Sequence, residues 1–208
     1  MRVSLLGDKQ LCVIIIGTKG SGKSYAAARL ATHGFAVRAT SDEIRQALKD
    51  RGNDDPSVHE LIAEGNRGRA EHNEKGYWIL RAAQTLWDAG HRHVAIEGAR
   101  HPLEVKAIQK NAPVGSVVLL GIDGPIMQRY ARFCARARSG DPRTLEDFVI
   151  LDDRDRGKGD PQEPWDGQQV DRTLACVDSE WCYYNDRSLI AFDAWIDVAV
   201  ERMVTNFV

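Results

Sequence analysis

Short apolar runs alternate with amphipathic stretches along most of the chain. Residues 11–16 form the first run, LCVIII, and residues 114–122 form a second one that is nearly continuous. Such runs are typical of strands that are buried on both faces of a sheet. Shorter apolar runs predict further strands at residues 35–39, 93–97 and 181–184. The pattern therefore predicts a sheet of about five strands.

Helical periodicity fills most of the segments between these strands. The predicted helices cover residues 23–31, 40–50, 57–89, 102 onward, 125–139, 145–153 and 188–203. We expect the long stretch at 57–89 to be broken near Gly65 or Gly68, because glycine weakens a helix interior. Strands that alternate with helices predict an α/β fold, in which helices cover both faces of a parallel sheet.

The segment at residues 152–171 has no apolar period and is rich in charged residues, glycine and proline. It is predicted to be either a surface loop or a lid segment, in which Arg154, Arg156 or Lys158 reaches a ligand on closing. Trp165 could stack on a base, or it could anchor the loop.

One motif links the first strand to the first helix. Residues 17–24 read GTKGSGKS and match G-x-x-x-x-G-K-[ST] at every fixed position. The glycines permit a tight turn whose N–H groups form a nest for an anion, and the helix that follows adds a positive partial charge. A chance match in such a chain has odds of about one in a hundred. The predicted cofactor-binding residues are Gly17, Thr18, Lys19, Gly20, Ser21, Gly22, Lys23 and Ser24.

The last two residues of the motif carry its chemistry. Lys23 is expected to contact the β- and γ-phosphates of a nucleoside triphosphate, and the Ser24 hydroxyl is expected to bind Mg²⁺. The chain has no N/T-K-x-D run of the kind that selects guanine, which disfavours a GTPase. The motif therefore predicts ATP and Mg²⁺ as cofactors.

Two other strand ends carry candidate residues. Because parallel strands present their carboxyl ends at one edge of a sheet, Asp42, Arg45, Glu97 and Arg100 are expected close to the glycine motif. Asp42 could accept a proton from an attacking hydroxyl or hold Mg²⁺ through water, or it could simply cap a helix. Arg45, Glu97 and Arg100 are candidates for binding the substrate, and Glu97 could also support the metal.

Arginines follow a helical pattern at residues 125–139, PIMQRYARFCARARS. They are Arg129, Arg132, Arg136 and Arg138. Arginines that close on a transferring phosphoryl group would stabilise its charge and exclude water. We therefore predict Arg132 and Arg136 as catalytic residues and Arg138 as a nucleotide-binding one. The alternative is a solvated face whose arginines pair with the acidic residues at 146–153.

Length and charge narrow the classes of protein. The 208 residues suit one domain, and 28 basic against 30 acidic residues give a net charge of −2. That balance argues against a protein that relies on a strongly basic surface to bind nucleic acid.

The four cysteines have no metal-site spacing and fit a reducing cytoplasm. Residues 1–10 lack the apolar core of a signal peptide, and no apolar run approaches the roughly 18 residues of a membrane span.

Four stretches together carry a resemblance to a known family. They are the glycine motif, TSDEIR at 40–45, EGARHPLEV at 97–105, and the arginines followed by Asp141 and Pro142. The chain resembles the nucleoside monophosphate kinase branch of the P-loop kinases from about residue 11 to residue 203. Within it, the dephospho-CoA kinase-like and phage deoxynucleoside monophosphate kinase-like proteins are the most similar.

The resemblance implies a P-loop NTPase three-layer sandwich with an arginine-bearing helical lid. It implies one kinase domain, residues 1–208, with an acceptor-side helical region at 53–90 and a lid region at 129–170. By position, Asp42, Arg45 and Arg100 match the acceptor side. Arg132, Arg136 and Arg138 match the lid. The chain differs from relatives that carry Asp-Gly-x-Arg after the third strand, because it has Glu97 there.

Three functions stay open from the sequence. The favoured one is an ATP-dependent phosphotransferase acting on a nucleotide-like small molecule, such as a nucleoside monophosphate or a dephospho-CoA-like acceptor. A related kinase group phosphorylates hydroxymethylated bases in DNA. The long helical region at 57–89, which carries basic residues, would leave room for such a larger substrate. These residues are Arg67, Arg69, His72, Lys75 and Arg81. The third function is a nucleotide-binding switch or ATPase without an acceptor.

Overall fold

The computed structural model describes residues 10–112, 116–136, 142–158 and 168–207. The strands in these ranges are β1 (Leu11–Gly17), β2 (Ala36–Ala39), β3 (His93–Ala99), β4 (Ser116–Asp123) and β5 (Cys182–Tyr184). The helices are α1 (Lys23–Thr32), α2 (Thr40–Lys49), α3 (Val58–Glu71), α4 (Tyr77–Asp88), α5 (Pro102–Asn111), α6 (Ile126–Arg136), α7 (Leu145–Arg156), α8 (Val170–Leu174) and α9 (Leu189–Phe207).

The strands form one parallel sheet in the order β2-β3-β1-β4-β5. β1 lies at its centre, and all 7 of its residues are buried, as expected for a strand with neighbours on both sides and helices over both faces. At the carboxyl edge, Ile15 lies opposite Glu97 of β3, and Gly17 lies opposite Ile122 of β4. The predicted fold class is confirmed, and this edge brings the glycine motif and Glu97 together.

Helices cover both faces of the sheet. α1 packs against β1, β3 and α9, whereas α4 and α5 pack against β3 and against each other. Leu30 and Ile196 are fully buried on the first set of helices, and Ile79 and Ile108 on the second. Cys12 lies in the same core, as the sequence predicts. Burying one leucine or isoleucine side chain stabilises the fold by about 1.5–3 kcal/mol. None of the helices in the described ranges is long and apolar enough to cross a membrane.

The helical stretch predicted at 57–89 is interrupted, but not at either expected glycine. α3 continues through Gly65 and Gly68, and the interruption lies between α3 and α4 at residues 72–76. There Asn73 adopts a left-handed conformation with a φ of 48°. The expected position of the break is therefore wrong.

The two glycines of α3 instead allow α4 to pack closely. The indole nitrogen of Trp78 donates a hydrogen bond to the carbonyl oxygen of Gly65 over 2.9 Å. A Cβ atom at Gly68 would lie 2.4 Å from the ring of Trp78. Since helix propensity costs only about 1 kcal/mol at a glycine, tertiary packing overrides it here.

α7 continues past its predicted end to Arg156, so the first residues of the segment expected to be a loop are helical. Asp152 and Asp155, on this extension, are buried. Their partners are basic side chains rather than apolar ones, which is why the sequence shows no apolar period there. Trp165 and its neighbours at 159–167 lie outside the described residues.

Candidate functional site

The glycine motif forms the turn between β1 and α1, which begins at Lys23. Gly20 has a φ of 70° and Gly22 a φ of 109°, conformations that residues with a Cβ atom rarely adopt. A Cβ atom at Gly20 would also lie 2.4 Å from the carbonyl oxygen of Arg129. The turn is therefore tight and close to α6, and turns of this form bind anions through their N–H groups.

Lys23 reaches back over the glycine turn from the first turn of α1. Its ammonium group donates a hydrogen bond to the carbonyl oxygen of Thr18 over 2.7 Å. Burial lowers the pKa of Lys23 to about 8, the Glu97 carboxylate opposes this change, and the charge of Arg100 adds to it. At neutral pH the ammonium is mostly protonated, and it lies against the glycine turn.

Ser24 meets a carboxylate from the neighbouring strand. Its hydroxyl donates a hydrogen bond to Oε1 of Glu97 over 2.8 Å, and Glu97 lies on β3 beside β1. Hydroxyl and carboxylate oxygens are ligands that Mg²⁺ accepts. Among the described residues, no group of three or more His, Cys, Asp or Glu could hold a metal. Mg²⁺ would therefore need phosphate oxygens and water to complete its coordination, which is its usual mode of binding.

The turn also contains a buried hydroxyl that lacks a partner. Ser21 is fully buried, and its Oγ has no hydrogen-bond partner within the described part of the chain. Leaving such a group unsatisfied costs about 1–3 kcal/mol. Together with Lys23, Ser24 and Glu97, this group makes the turn a fitting site for a triphosphate with Mg²⁺.

Asp123, the last residue of β4, belongs to the site although the sequence pattern does not indicate it. Its carboxylate accepts a hydrogen bond from the Thr18 hydroxyl over 2.6 Å and two from the Arg156 guanidinium over 3.1 and 3.0 Å. These bonds connect the glycine turn to β4 and α7. The signal that could have found Asp123 is its place at the end of a predicted strand beside β1.

Arg129 of α6 supports the glycine turn from inside the protein. It is buried, and its guanidinium makes paired hydrogen bonds with Asp152 over 2.6 and 2.8 Å. The same group donates to the carbonyl oxygens of Lys19 (3.1 Å) and Gly124 (2.9 Å). Because these partners lie on α7, on the glycine turn and on the segment after β4, Arg129 connects α6 to all three.

The other two described arginines of α6 have different contacts. Arg132 donates to the carbonyl oxygen of Gly20 over 3.4 Å and to that of Asn185 over 3.0 Å. Burial lowers the pKa of Arg132, and the charge of Arg129 adds to this change. Arg136 stacks on the ring of Phe133, with its guanidinium carbon 3.7 Å from the ring centre. Arg138 lies outside the described residues.

Lys19 and Arg100 face a carboxylate that α7 contributes. Oδ2 of Asp155 lies 2.6 Å from Nζ of Lys19 and 3.8 Å from Nη1 of Arg100. Arg100 also donates a hydrogen bond to Gln168 over 2.9 Å. Burial lowers the pKa of Lys19, Arg100 adds to this change, and Asp155 opposes it. Arg100 therefore lies beside the glycine turn, as its position after β3 predicts.

Asp42 and Arg45 lie on α2, the helix that follows β2. One carboxylate oxygen of Asp42 accepts a hydrogen bond from the backbone N–H of Ala39 over 3.0 Å, so Asp42 does cap the helix. Both residues line a groove of about 190 Å³ along α2, together with Gln46, Lys49, Asp54 and Pro56. Among the residues described, no hydrogen bond or ion pair joins either side chain to the turn.

Three arginines of α3 and α4 are paired with acidic side chains. Within the described ranges these ion pairs are Arg67 with Glu64 and Glu71, Arg69 with Glu104, and Arg81 with Glu43. The surface of α3 and α4 is therefore largely neutralised at the positions where the sequence suggested a basic face.

Several solved structures of similar fold are kinases by name. A gluconokinase from Sinorhizobium meliloti has a TM-score of 0.54 and 14% identity, and the match covers 96% of this chain and 97% of that one. A shikimate kinase from Acinetobacter baumannii, solved with shikimate, has a TM-score of 0.55 and 10% identity, over 95% and 94% of the two chains. These likenesses identify the fold as that of P-loop kinases.

Relatives by sequence come from archaea. A UPF0200 protein of Pyrococcus abyssi is 27% identical over 196 residues, 93% of this chain and 97% of its own length. A UPF0200 protein of Halobacterium salinarum is 33% identical over 145 residues, 69% of this chain and 74% of its own length. A scan against protein-family models finds no match. The degree of identity and the shared length show that the chain belongs to the UPF0200 family.

Proposed function

We propose that this protein is a Mg·ATP-dependent phosphotransferase that moves the γ-phosphoryl group to a nucleotide-like small molecule. The observation that carries the proposal is the meeting of Lys23, Ser24 and Glu97 at the glycine turn. Phosphoryl transfer needs a cation at the β- and γ-phosphates and oxygen ligands for Mg²⁺, and these residues supply both. The likeness in fold to kinases of small molecules supports the same class of reaction.

The turn, Glu97 and the arginines of the 125–139 segment have different roles in this proposal. Mg·ATP supplies the phosphoryl group and part of the charge neutralisation. The backbone of residues 17–24 binds the phosphates, and Lys23 stabilises the charge on the β- and γ-phosphates. The Ser24 hydroxyl would hold Mg²⁺, and the Glu97 carboxylate, which accepts a hydrogen bond from Ser24, would support it. Arg132 and Arg136, with Arg138, stabilise the charge that develops during transfer.

The acceptor side consists of Asp42, Arg45 and Arg100. Asp42 and Arg45 line the groove along α2, and Arg100 lies next to the phosphate-binding turn. Arginine suits an acceptor phosphate because its planar group donates two parallel hydrogen bonds. Asp42 is suited to orient or deprotonate the attacking group. A nucleoside monophosphate, a deoxynucleoside monophosphate or a dephospho-CoA-like molecule carries the phosphate that these cations would bind.

A modified base in DNA is less favoured as the acceptor. DNA binding depends on cations that are available to neutralise phosphates. Arg67, Arg69 and Arg81 already pair with glutamates, and the net charge of the chain is −2. Binding DNA would require breaking these pairs, whereas a small acceptor in the α2 groove would leave them intact.

A phosphoryl-transfer screen with labelled ATP tests the proposal. It should offer nucleoside and deoxynucleoside monophosphates, dephospho-CoA, gluconate, shikimate and oligonucleotides with hydroxymethylated bases. Label appearing in a nucleotide-like small molecule supports the proposal. Label in gluconate or shikimate would keep the phosphotransferase but refute the nucleotide-like acceptor, and label in an oligonucleotide would make modified DNA the acceptor. Hydrolysis that no acceptor accelerates would instead support a switch or an ATPase.

Lys23→Ala is the matching variant. We expect it to lower kcat/KM by about 10²-fold or more, because it removes a cation from the transferring phosphates. Its fold should survive, since Lys23 contributes one hydrogen bond to the Thr18 carbonyl, and circular dichroism with thermal unfolding checks this. Wild-type turnover in a folded Lys23→Ala protein would refute the role of Lys23.

A further inference from the structure

The phosphate-binding turn already has an anion beside it. The carboxylate of Asp155 is buried, with a side-chain exposure of 6%, and it lies 2.6 Å from the ammonium of Lys19. It also lies 3.8 Å from the guanidinium of Arg100. Both cations are placed to attract the phosphates of a nucleotide, yet both face a carboxylate of the same chain.

The position of Asp155 is imposed by the rest of α7. Asp152, one helical turn earlier, makes paired hydrogen bonds with Arg129 over 2.6 and 2.8 Å. Arg156, the last residue of the helix, bonds to both carboxylate oxygens of Asp123 over 3.1 and 3.0 Å. These contacts dock the helix on the sheet edge, so that Asp155 is directed at the glycine turn.

A fixed carboxylate at this place opposes a triphosphate. Two like charges that approach within several ångströms repel, and the repulsion is stronger where solvent is excluded. A triphosphate brings more negative charge than one carboxylate and can also bond to the N–H groups of the turn. Lys19 and Arg100 can therefore pair either with Asp155 or with a triphosphate. In the absence of ligand they pair with Asp155.

We propose that Asp155 is a built-in counter-anion, which holds Lys19 and Arg100 while the turn is empty and which a triphosphate displaces, releasing the last turn of α7. The proposal rests on the nucleotide site proposed above and adds a regulatory contact to it. Nucleotide binding and docking of the end of α7 are then coupled with opposite sign. By reciprocity, weakening the docking of Asp155 must strengthen binding of the triphosphate.

Replacing Asp155 by Asn tests this coupling. Asn keeps the size of the side chain and removes its charge, so the affinity for Mg·ATP and for inorganic tripolyphosphate should rise about tenfold. Asp153→Asn is the matched control, because it makes the same charge change on the same helix. Asp153 pairs with Lys158 at the surface and has a side-chain exposure of 46%, so that variant should bind like the wild type. Titration calorimetry measures all three proteins.

Weaker or unchanged binding in Asp155→Asn would overturn the proposal, and weaker binding would in addition indicate that Asp155 stabilises the nucleotide-bound state. Equal strengthening in Asp153→Asn would also overturn it, since the effect would then be general electrostatics. A wild-type protein that binds neither ligand refutes the proposed function itself, which is a different outcome.

Hydrogen exchange on the wild type provides a second test that needs no variant. Adding tripolyphosphate should speed amide exchange at the end of α7, residues 153–156, several-fold, while exchange in α1 slows. Unchanged or slower exchange at the end of α7 would overturn the proposal, even if Asp155→Asn does not fold.

Discussion

At the scale of single residues, Lys23 is expected to make the affinity for Mg·ATP depend on pH. Burial lowers its pKa to about 8, so in the nucleotide-free protein it loses its charge as the pH rises through that value. A bound phosphate favours the charged form, so binding takes up a proton above that pH. We therefore expect the affinity for Mg·ATP to be constant near pH 7 and to fall about tenfold per pH unit well above 8. Calorimetry between pH 6.5 and 9.5 measures this slope.

The control for the pH slope is Lys23→Arg, because arginine stays charged over this whole range. Its affinity, although lower at neutral pH, should be independent of pH. A slope that persists in Lys23→Arg would assign the titration to Lys19, whose pKa burial also lowers. An affinity of the wild type that does not change up to pH 9.5 contradicts the prediction.

Single residues also show what the sequence could and could not indicate. The residues of the glycine motif are consecutive, and their spacing alone predicts the turn. Thr18 and Asp123 are 105 positions apart, and Arg129 and Asp152 belong to different helices. Such pairs depend on how strands and helices meet in space, so a pattern along the chain cannot reveal them. Asp155 is hidden for the same reason.

At the scale of the helices, the α3–α4 pair depends on glycine at one position. A Cβ atom at Gly68 would lie 2.4 Å from the Trp78 ring, whereas one at Gly65 would meet flexible side-chain ends at 3.4 Å. Gly68→Ala should lower the free energy of unfolding by about 1–2 kcal/mol, because overpacking outweighs the gain in helix propensity. Gly65→Ala should leave it unchanged or raise it by up to about 1 kcal/mol. Urea unfolding measures both, and equal effects would contradict this account of the packing.

Helices α3 and α7 also explain where the prediction of helices fails. Prediction from sequence treats glycine as an average helix breaker. In α3, however, the ring of Trp78 occupies the space that a larger residue at Gly68 would need. In α7, an inward face made of Asp152 and Asp155 does not resemble a buried face. Periodicity detects apolar burial, and it cannot detect burial of charges that are paired elsewhere in the fold.

At the scale of the whole molecule, alternation of strands and helices is enough to predict the parallel sheet and its layers. The order of the strands then places the turn after β1 between the ends of β3 and β4. Glu97 and Asp123 therefore reach the same turn from opposite sides. The groove that Asp42 and Arg45 line lies along α2, and its occupant does not follow from the order of the strands.

Because the turn joins the central strand to a core helix, a ligand bound there should stabilise the entire fold. A ligand that binds only the folded state at 100 times its Kd raises the free energy of unfolding by about 2.7 kcal/mol. For a chain of 208 residues, each kcal/mol corresponds to about 2–4 °C in Tm. We therefore expect saturating Mg·ATP to raise the Tm of the wild type by about 5–10 °C and to have little effect on Lys23→Ala. Scanning calorimetry measures the shift, and an equal shift in both proteins would mean that the nucleotide binds somewhere other than the turn at residues 17–24.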